Sequence, residues 1–294
     1  MPEWFKDFPS LTFSLCLILL FTLLWSGLTP TLNQWHYQAL RWYYQHQQSK
    51  IISEMTLAET EHFIYAYEQL SPESLVLIQE ESEHIFQSVN DFFDFSPAAK
   101  IPVMIFSSGE ALNERFGWEG DRSPMGVYWM GYINILAPEG WIDGSTGARA
   151  QIFRRMGPMA HEYTHLIIDE KTHGHYPRWF SEGVAQYVEQ SLGYFTTTLP
   201  QPENRRFLPF SQLERRFDEA SQQNQAYWQS LEAIHYLTAH YGEAIIGQIL
   251  THLSQNRDFQ TALQLTTGLD ESALLAALTA SYENGSPKNV GVMV

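Results

Sequence analysis

The sequence predicts an α+β protein, in which a small sheet-bearing N-terminal lobe faces a helical C-terminal lobe across a cleft, behind one N-terminal transmembrane helix. Three observations carry this expectation. In the first half, short β-branched and aromatic runs (His62–Tyr67, Ile101–Phe106, Gly126–Leu136) alternate with helical patterns. From Pro158 to Tyr282, apolar residues recur at helical spacing with few breaks. Apolar residues make up 44% of the 294 and charged residues 17%, enough to bury a good-sized core.

At the N-terminus, Leu11 to Leu28 is an uncharged run of 18 residues, close to the minimum that crosses a bilayer. It reads first as a membrane anchor (1–29). A cleaved signal peptide competes, but the run is long, ends near bulky Trp25 and is followed by no clean small-x-small site. A buried core helix would ordinarily carry more polar residues. Lys6, flanked by Glu3 and Asp7, does not choose the side; the expectation is a single-pass protein with its folded domain outside the cytoplasm. Residues 30–55 read as an amphipathic juxtamembrane helix. Trp35, Tyr37, Trp42 and Tyr43 there suit either a lipid interface or packing on the domain.

A domain follows over 56–283. After the first strand, Ser71 and Pro72 open a helix to Phe92. Ile101–Phe106 is a buried strand, Glu110–Phe116 a short helix, and Gly126–Leu136 one or two strands turning near Gly131. Helices are expected at Met159–Ile168 and from Pro177 or Arg178 to Leu192, the latter capped by Gly193. Four more follow at Tyr227–Tyr241, Glu243–Ser254, Phe259–Thr266 and Glu271–Tyr282. Residues 284–294 read as a flexible tail.

The net charge of −16 argues against nucleic-acid binding, which needs a basic face. The single cysteine, Cys16, excludes an intramolecular disulfide and a cysteine-rich metal site.

The chemistry concentrates at His161-Glu162-Tyr163-Thr164-His165, an HExxH pentapeptide. On a helix, residues four apart share a face, so both imidazoles can reach one ion. Zinc accepts such ligands tetrahedrally and acidifies its bound water, from which Glu162 can take a proton. A third protein ligand is required. An extended histidine pattern would need Gly at 168 and His at 171, where Ile168 and Lys171 stand. A carboxylate on the next helix remains, and Glu182, 17 residues past His165 within an apolar segment, supplies it. Gly183 beside it permits close helix approach. His173 and His175 read as surface histidines.

HEYTH followed by RWFSEGVAQYVE resembles the gluzincins, the thermolysin-like and aminopeptidase-like zinc peptidases, and within them the peptidase MA-like family. There an HExxH helix precedes a P-x-W-x-x-E-G-x-A-x-Y helix, matched here by Pro177 to Tyr187. The resemblance implies one zinc ion per chain on His161, His165 and Glu182, a cleft between two lobes, and hydrolysis of a peptide or protein substrate. It also implies a tyrosine or histidine across the zinc to stabilise an oxyanion; Tyr227 is the candidate, with Tyr236, Tyr241 and His235 as rivals. Glu189, seven residues after Glu182, could orient a ligand histidine or simply face solvent.

Aminopeptidases of this group carry a carboxylate motif that holds the substrate's free amine. The comparable stretch, Met125 to Tyr132, has none, which points toward internal cleavage, with the strand holding an extended peptide by edge pairing. The alternative is a catalytically inactive module that binds peptides or partners at the membrane, for which Glu162 would have no use. An intramembrane protease is excluded, because HEYTHLIIDEK is too polar and too short to span.

Overall fold

The computed structural model describes residues 35–120, 123–194, 206–217, 219 and 223–283. The apolar run at 11–28 and the tail at 284–294 lie outside these residues. Among the described residues, no helix is long and apolar enough to cross a membrane.

Helix α1 (35–52) comes first. Strands β1 (Thr56–Glu59) and β2 (Phe63–Tyr67), helix α2 (Pro72–Phe93), strand β3 (Ile101–Phe106) and helix α3 (Gly109–Phe116) follow. The hairpin β4 (Gly126–Trp129) and β5 (Tyr132–Leu136) completes a five-stranded sheet of order β1-β2-β3-β5-β4. Its inner pairs, β2 with β3 and β3 with β5, are parallel, and the outer pairs are antiparallel. Thus β4 is an edge strand. Helices α4 (Thr146–Met156), α5 (Met159–Thr172), α6 (Arg178–Ser191) and α7 (Phe210–Arg216) come next. The chain ends in α8 (Gln223–Tyr241), α9 (Ala244–Ser254), α10 (Phe259–Thr267) and α11 (Glu271–Glu283).

The mixed α+β architecture is as expected, with three local differences. Strand β1 and helices α4 and α7 add to the expected elements, α5 runs on to Thr172, and α8 starts at Gln223 rather than Tyr227. Helix α4 (TGARAQIFRRM) buries Phe153 alone, so it lacks the apolar stripe that announces a helix. The two halves also share one continuous apolar core rather than packing as separate lobes. It runs from Phe63 and Ile133 of the sheet through Ile167 of α5 to Ile234 and Ile249.

Helix α5 joins the halves. Tyr163 packs edge-on to Phe63 and stacks on Phe86, while its hydroxyl donates to Asn90 Oδ1 at 2.6 Å. With Thr164, Ile167 and Ile168 also fully buried, one side of the helix is committed to the core. His161, His165 and Asp169, four residues apart, therefore share the other side. Helix α6 is held against α8 by Gly183: a Cβ there would lie 2.4 Å from the backbone oxygen of Ser230.

Helix α1 packs on the domain through one face. Tyr37, Arg41 and Gln45 point inward, whereas Trp35, Trp42 and Tyr43 are 71%, 66% and 58% exposed. Of the four aromatic residues expected at an interface, Tyr37 is thus a packing residue.

Gly183→Ala must force α6 and α8 apart, so it should cost roughly 1–3 kcal/mol. That corresponds to a fall of about 2–10 °C in melting temperature for a domain of this size, read by calorimetry with zinc in excess.

Candidate metal centre

The two-helix constellation assembles. His161, His165 and Glu182 each direct one donor atom to a common point, with these atoms all within 4.8 Å of one another. Glu182 Oε2 lies 3.2 Å from His161 Nε2 and 3.5 Å from His165 Nε2. Ligands placed tetrahedrally about 2.0–2.1 Å from zinc are about 3.3–3.5 Å apart, so the spacing fits such an ion.

The far nitrogens of both imidazoles are engaged. His161 Nδ1 lies 2.9 Å from Glu189 Oε2, and His165 Nδ1 lies 2.7 Å from Ser181 Oγ. An acceptor on Nδ1 keeps the proton there and leaves the Nε2 lone pair free for a metal. Glu189 is buried, so of its two readings the structure selects orientation over solvent exposure. Ser181 was not anticipated, although it immediately precedes Glu182 and could have been found by asking what holds the second histidine.

Electrostatics point the same way. Burial disfavours a charged His161, but Glu189 and Glu182 outweigh it and push the imidazole well above its ordinary value. Burial likewise opposes ionisation of Glu182, yet the two imidazoles pull its carboxyl well below the usual range. The carboxylates thus favour positive charge at their centre, which a divalent cation supplies. Arg178 Nε adds a contact of 3.3 Å to Glu182 Oε1.

Glu162 sits in the first turn of α5, where the helix end favours negative charge. Burial pushes its carboxyl up from the ordinary value, with His161 and His165 and then the Tyr128 amide pulling it partly back. A group so raised is better matched to accepting a proton near neutrality. Its Oε2 accepts from the backbone N–H of Tyr128 on β4 at 2.6 Å. Gly126, two residues earlier, makes this approach possible: a Cβ there would fall 2.8 Å from Glu162 Cγ and Oε1. Residues of the edge strand thus touch the carboxylate of HExxH, which no spacing rule in the sequence reveals.

Tyr227 lies on α8, with its backbone oxygen accepting from Gln186 Nε2 of α6 at 2.9 Å and its ring edge-on to Phe217. Burial first, then the charge of Glu182, raises its hydroxyl far above the ordinary value, so it stays protonated and can donate. The rivals stand elsewhere. His235 Nε2 meets Gln190 Oε1, Tyr236 stacks on His240, and Tyr241 is exposed. His173 caps the end of α5 in the left-handed region, and His175 follows in the loop to α6; neither belongs to the donor cluster.

Glu189→Ala removes the group that holds His161 in register. Zinc affinity should fall about 10–100-fold with the fold retained, as read by competition with a chelating dye alongside circular dichroism.

A family model described as the Peptidase MA superfamily matches residues 143–283. The match contains His161, Glu162, His165, Glu182 and Tyr227, and begins after the sheet. A crystal structure of a mutant M1 zinc metallopeptidase from Deinococcus radiodurans is similar at a TM-score of 0.41 and 16% sequence identity, over 76% of this chain and 50% of that one. The chain therefore spans about half the length of that protein. No curated protein sequence matches. Residues 143–283, a little under half of the chain, are thus similar to the Peptidase MA superfamily.

Proposed function

We propose that the protein is a zinc-dependent endopeptidase held at a membrane by its N-terminal run. The observation that carries the reading is the convergence of His161 Nε2, His165 Nε2 and Glu182 Oε2 beside the buried carboxylate of Glu162. Zinc bound by the three ligands supplies a Lewis acid that polarises a scissile carbonyl and acidifies water.

The remaining roles belong to the chain itself. Glu162 accepts a proton from the attacking water and passes it to the departing amide nitrogen. Tyr227, protonated, donates a hydrogen bond to the oxyanion as negative charge develops. β4 is an edge strand, and apart from the Tyr128 amide that Glu162 occupies, its unpaired side is where an extended peptide can lie as an added strand. Residues 125–132 carry no carboxylate to clasp a substrate amine, which favours internal cleavage over removal of terminal residues.

Membrane attachment rests on the 18-residue run at 11–28, and the outward Trp35, Trp42 and Tyr43 of α1 suit a lipid interface close to where that run ends. The orientation taken with this reading places the body of the enzyme on the extracytoplasmic side.

The test uses the full-length protein in detergent, loaded with zinc, on dye-labelled casein. Wild type should bind close to one zinc per chain and release internal fragments. Glu162→Gln should keep the zinc and lower kcat by at least about a thousandfold. Equal activity in both proteins would sink the reading. Tyr227→Phe, lacking only the donor, should lower kcat about 10²–10³-fold with KM little changed; an unaffected kcat would remove Tyr227 from the mechanism.

A further inference from the structure

Asp169 lies one turn beyond His165 on α5 and is 2% exposed. Its carboxylate takes part in neither the donor cluster nor the proton transfers above. Four side chains reach it. Tyr37 and Tyr128 donate to Oδ2, Arg41 Nη1 lies 3.4 Å from Oδ2, and Tyr176 lies 3.4 Å from Oδ1. Tyr37 and Arg41 come from α1, more than a hundred residues earlier, and Arg41 also pairs with Glu170.

Tyr128 is the residue that connects this cluster to the centre. Its hydroxyl meets Asp169, while its backbone N–H donates to Glu162 Oε2 at 2.6 Å. The same hydroxyl accepts from the Gly131 amide at 2.9 Å, in a tight turn where both Met130 (φ 49) and Gly131 (φ 95) are left-handed. A left-handed methionine is sterically disfavoured and persists only when its surroundings impose it. Gln45 of α1 helps impose it, donating to the Met130 carbonyl at 3.4 Å.

The surface beneath α1 is shaped to receive it. A Cβ on Gly131 would lie 2.6 Å from Gln45 Nε2 and 3.0 Å from Arg41 Nη2. A Cβ on Gly174, in the loop between α5 and α6, would lie 2.7 Å from the Tyr37 ring. Helix α1 thus rests on two left-handed glycines, one in the β4–β5 turn and one in the loop leading to the Glu182 helix.

We infer that α1 is a strap for the active site. Tyr37 and Arg41 act through Asp169 and Tyr128 as positioning residues that hold the β4 amide on Glu162. Arg41 is the cation among otherwise neutral donors to a buried carboxylate. Without it, Asp169 is left with less compensation than a buried carboxylate requires, and the hydroxyl of Tyr128 loses its fixed partner. The inference rests on the peptidase reading for its kinetic consequence, but its structural consequence can be measured without any turnover.

The test compares full-length wild type with Arg41→Gln, Arg41→Lys, Tyr37→Phe and Tyr128→Phe. Arg41→Gln should lower kcat on dye-labelled casein about 5–20-fold, with KM within about twofold and one zinc per chain retained. Arg41→Lys should recover a large part of the loss. Combining Arg41→Gln with Tyr128→Phe should lower kcat no further than the worse single change, because the two act in one chain of contacts. Independently of activity, the Tyr128 amide should exchange with solvent at least about tenfold faster in Arg41→Gln. If that variant is poorly folded, Tyr37→Phe, which removes one hydroxyl, carries the same expectations at smaller size. Unchanged kcat and unchanged Tyr128 exchange overturn the strap, and so does loss of kcat only in step with loss of zinc. A wild type that binds zinc and cleaves nothing overturns the peptidase reading alone, with amide exchange still deciding the strap.

Discussion

The rotational setting of α5 is the constraint on which the site depends. The helix carries core residues on one side and chemistry on the other, so a turn of some tens of degrees would bury the imidazoles and expose the core. Tyr163 prevents that turn. Its ring is wedged among Phe63 and Phe86, and its hydroxyl has one partner, Asn90 of α2. Moving it would strand a buried donor and acceptor, at roughly 1–3 kcal/mol for each unsatisfied group, besides opening a gap in the core. Tyr163, an unspecified position of HExxH, is in this chain what aims the three specified ones.

Given that setting, the centre follows from a surplus of buried carboxylate. Glu162, Glu182 and Glu189 surround two imidazoles in a region with little access to water. Buried carboxylates are tolerated only with compensating charge or donors. Two neutral imidazoles and the guanidinium of Arg178, which meets Glu182, leave these groups short of positive charge, whereas a divalent ion on the inward nitrogens can offset much of it while Glu189 fixes the outward nitrogen of His161. The raised His161 and the depressed Glu182 are two views of this demand for positive charge. The chain's net charge of −16 makes the observation sharper, since these carboxylates sit inside rather than joining the solvated acidic surface.

What was legible in the sequence was what short-range periodicity encodes. The HExxH helix, the Glu182 helix, the Ser71-capped α2, the buried β3 and the Met130–Gly131 turn all announce themselves within one or two turns of chain. Glu182 stood out because a carboxylate in an apolar segment demands a partner. The rest depends on partners far away in sequence. Asp169 carries the same signal as Glu182, a carboxylate beside Leu166, Ile167 and Ile168, but three of its four partners lie 41, 128 and 132 residues away, and the nearer one, Tyr176, has no spacing that marks it. Helix α4 was silent because a helix burying one phenylalanine has no stripe, and β1 because an exposed edge strand needs no alternation. The aromatic pattern of α1 could not separate lipid-facing from protein-facing residues, since both environments reward the same amphipathic rings.

Helix α1 has two unlike sides. Its inward residues reach a carboxylate on α5 and a turn of the edge strand, while its outward tryptophans remain uncovered by the described residues. The helix begins a few residues after the 11–28 run. Helix α1 grips the two elements that flank Glu162, through Asp169 of α5 and the β4–β5 turn. Glu162 is fixed by its own helix, by the Tyr128 amide and by the close approach of Gly126. The packing of α1 and the aim of the Glu162 carboxylate are therefore mechanically connected, by contacts that a domain cut at residue 55 would lack.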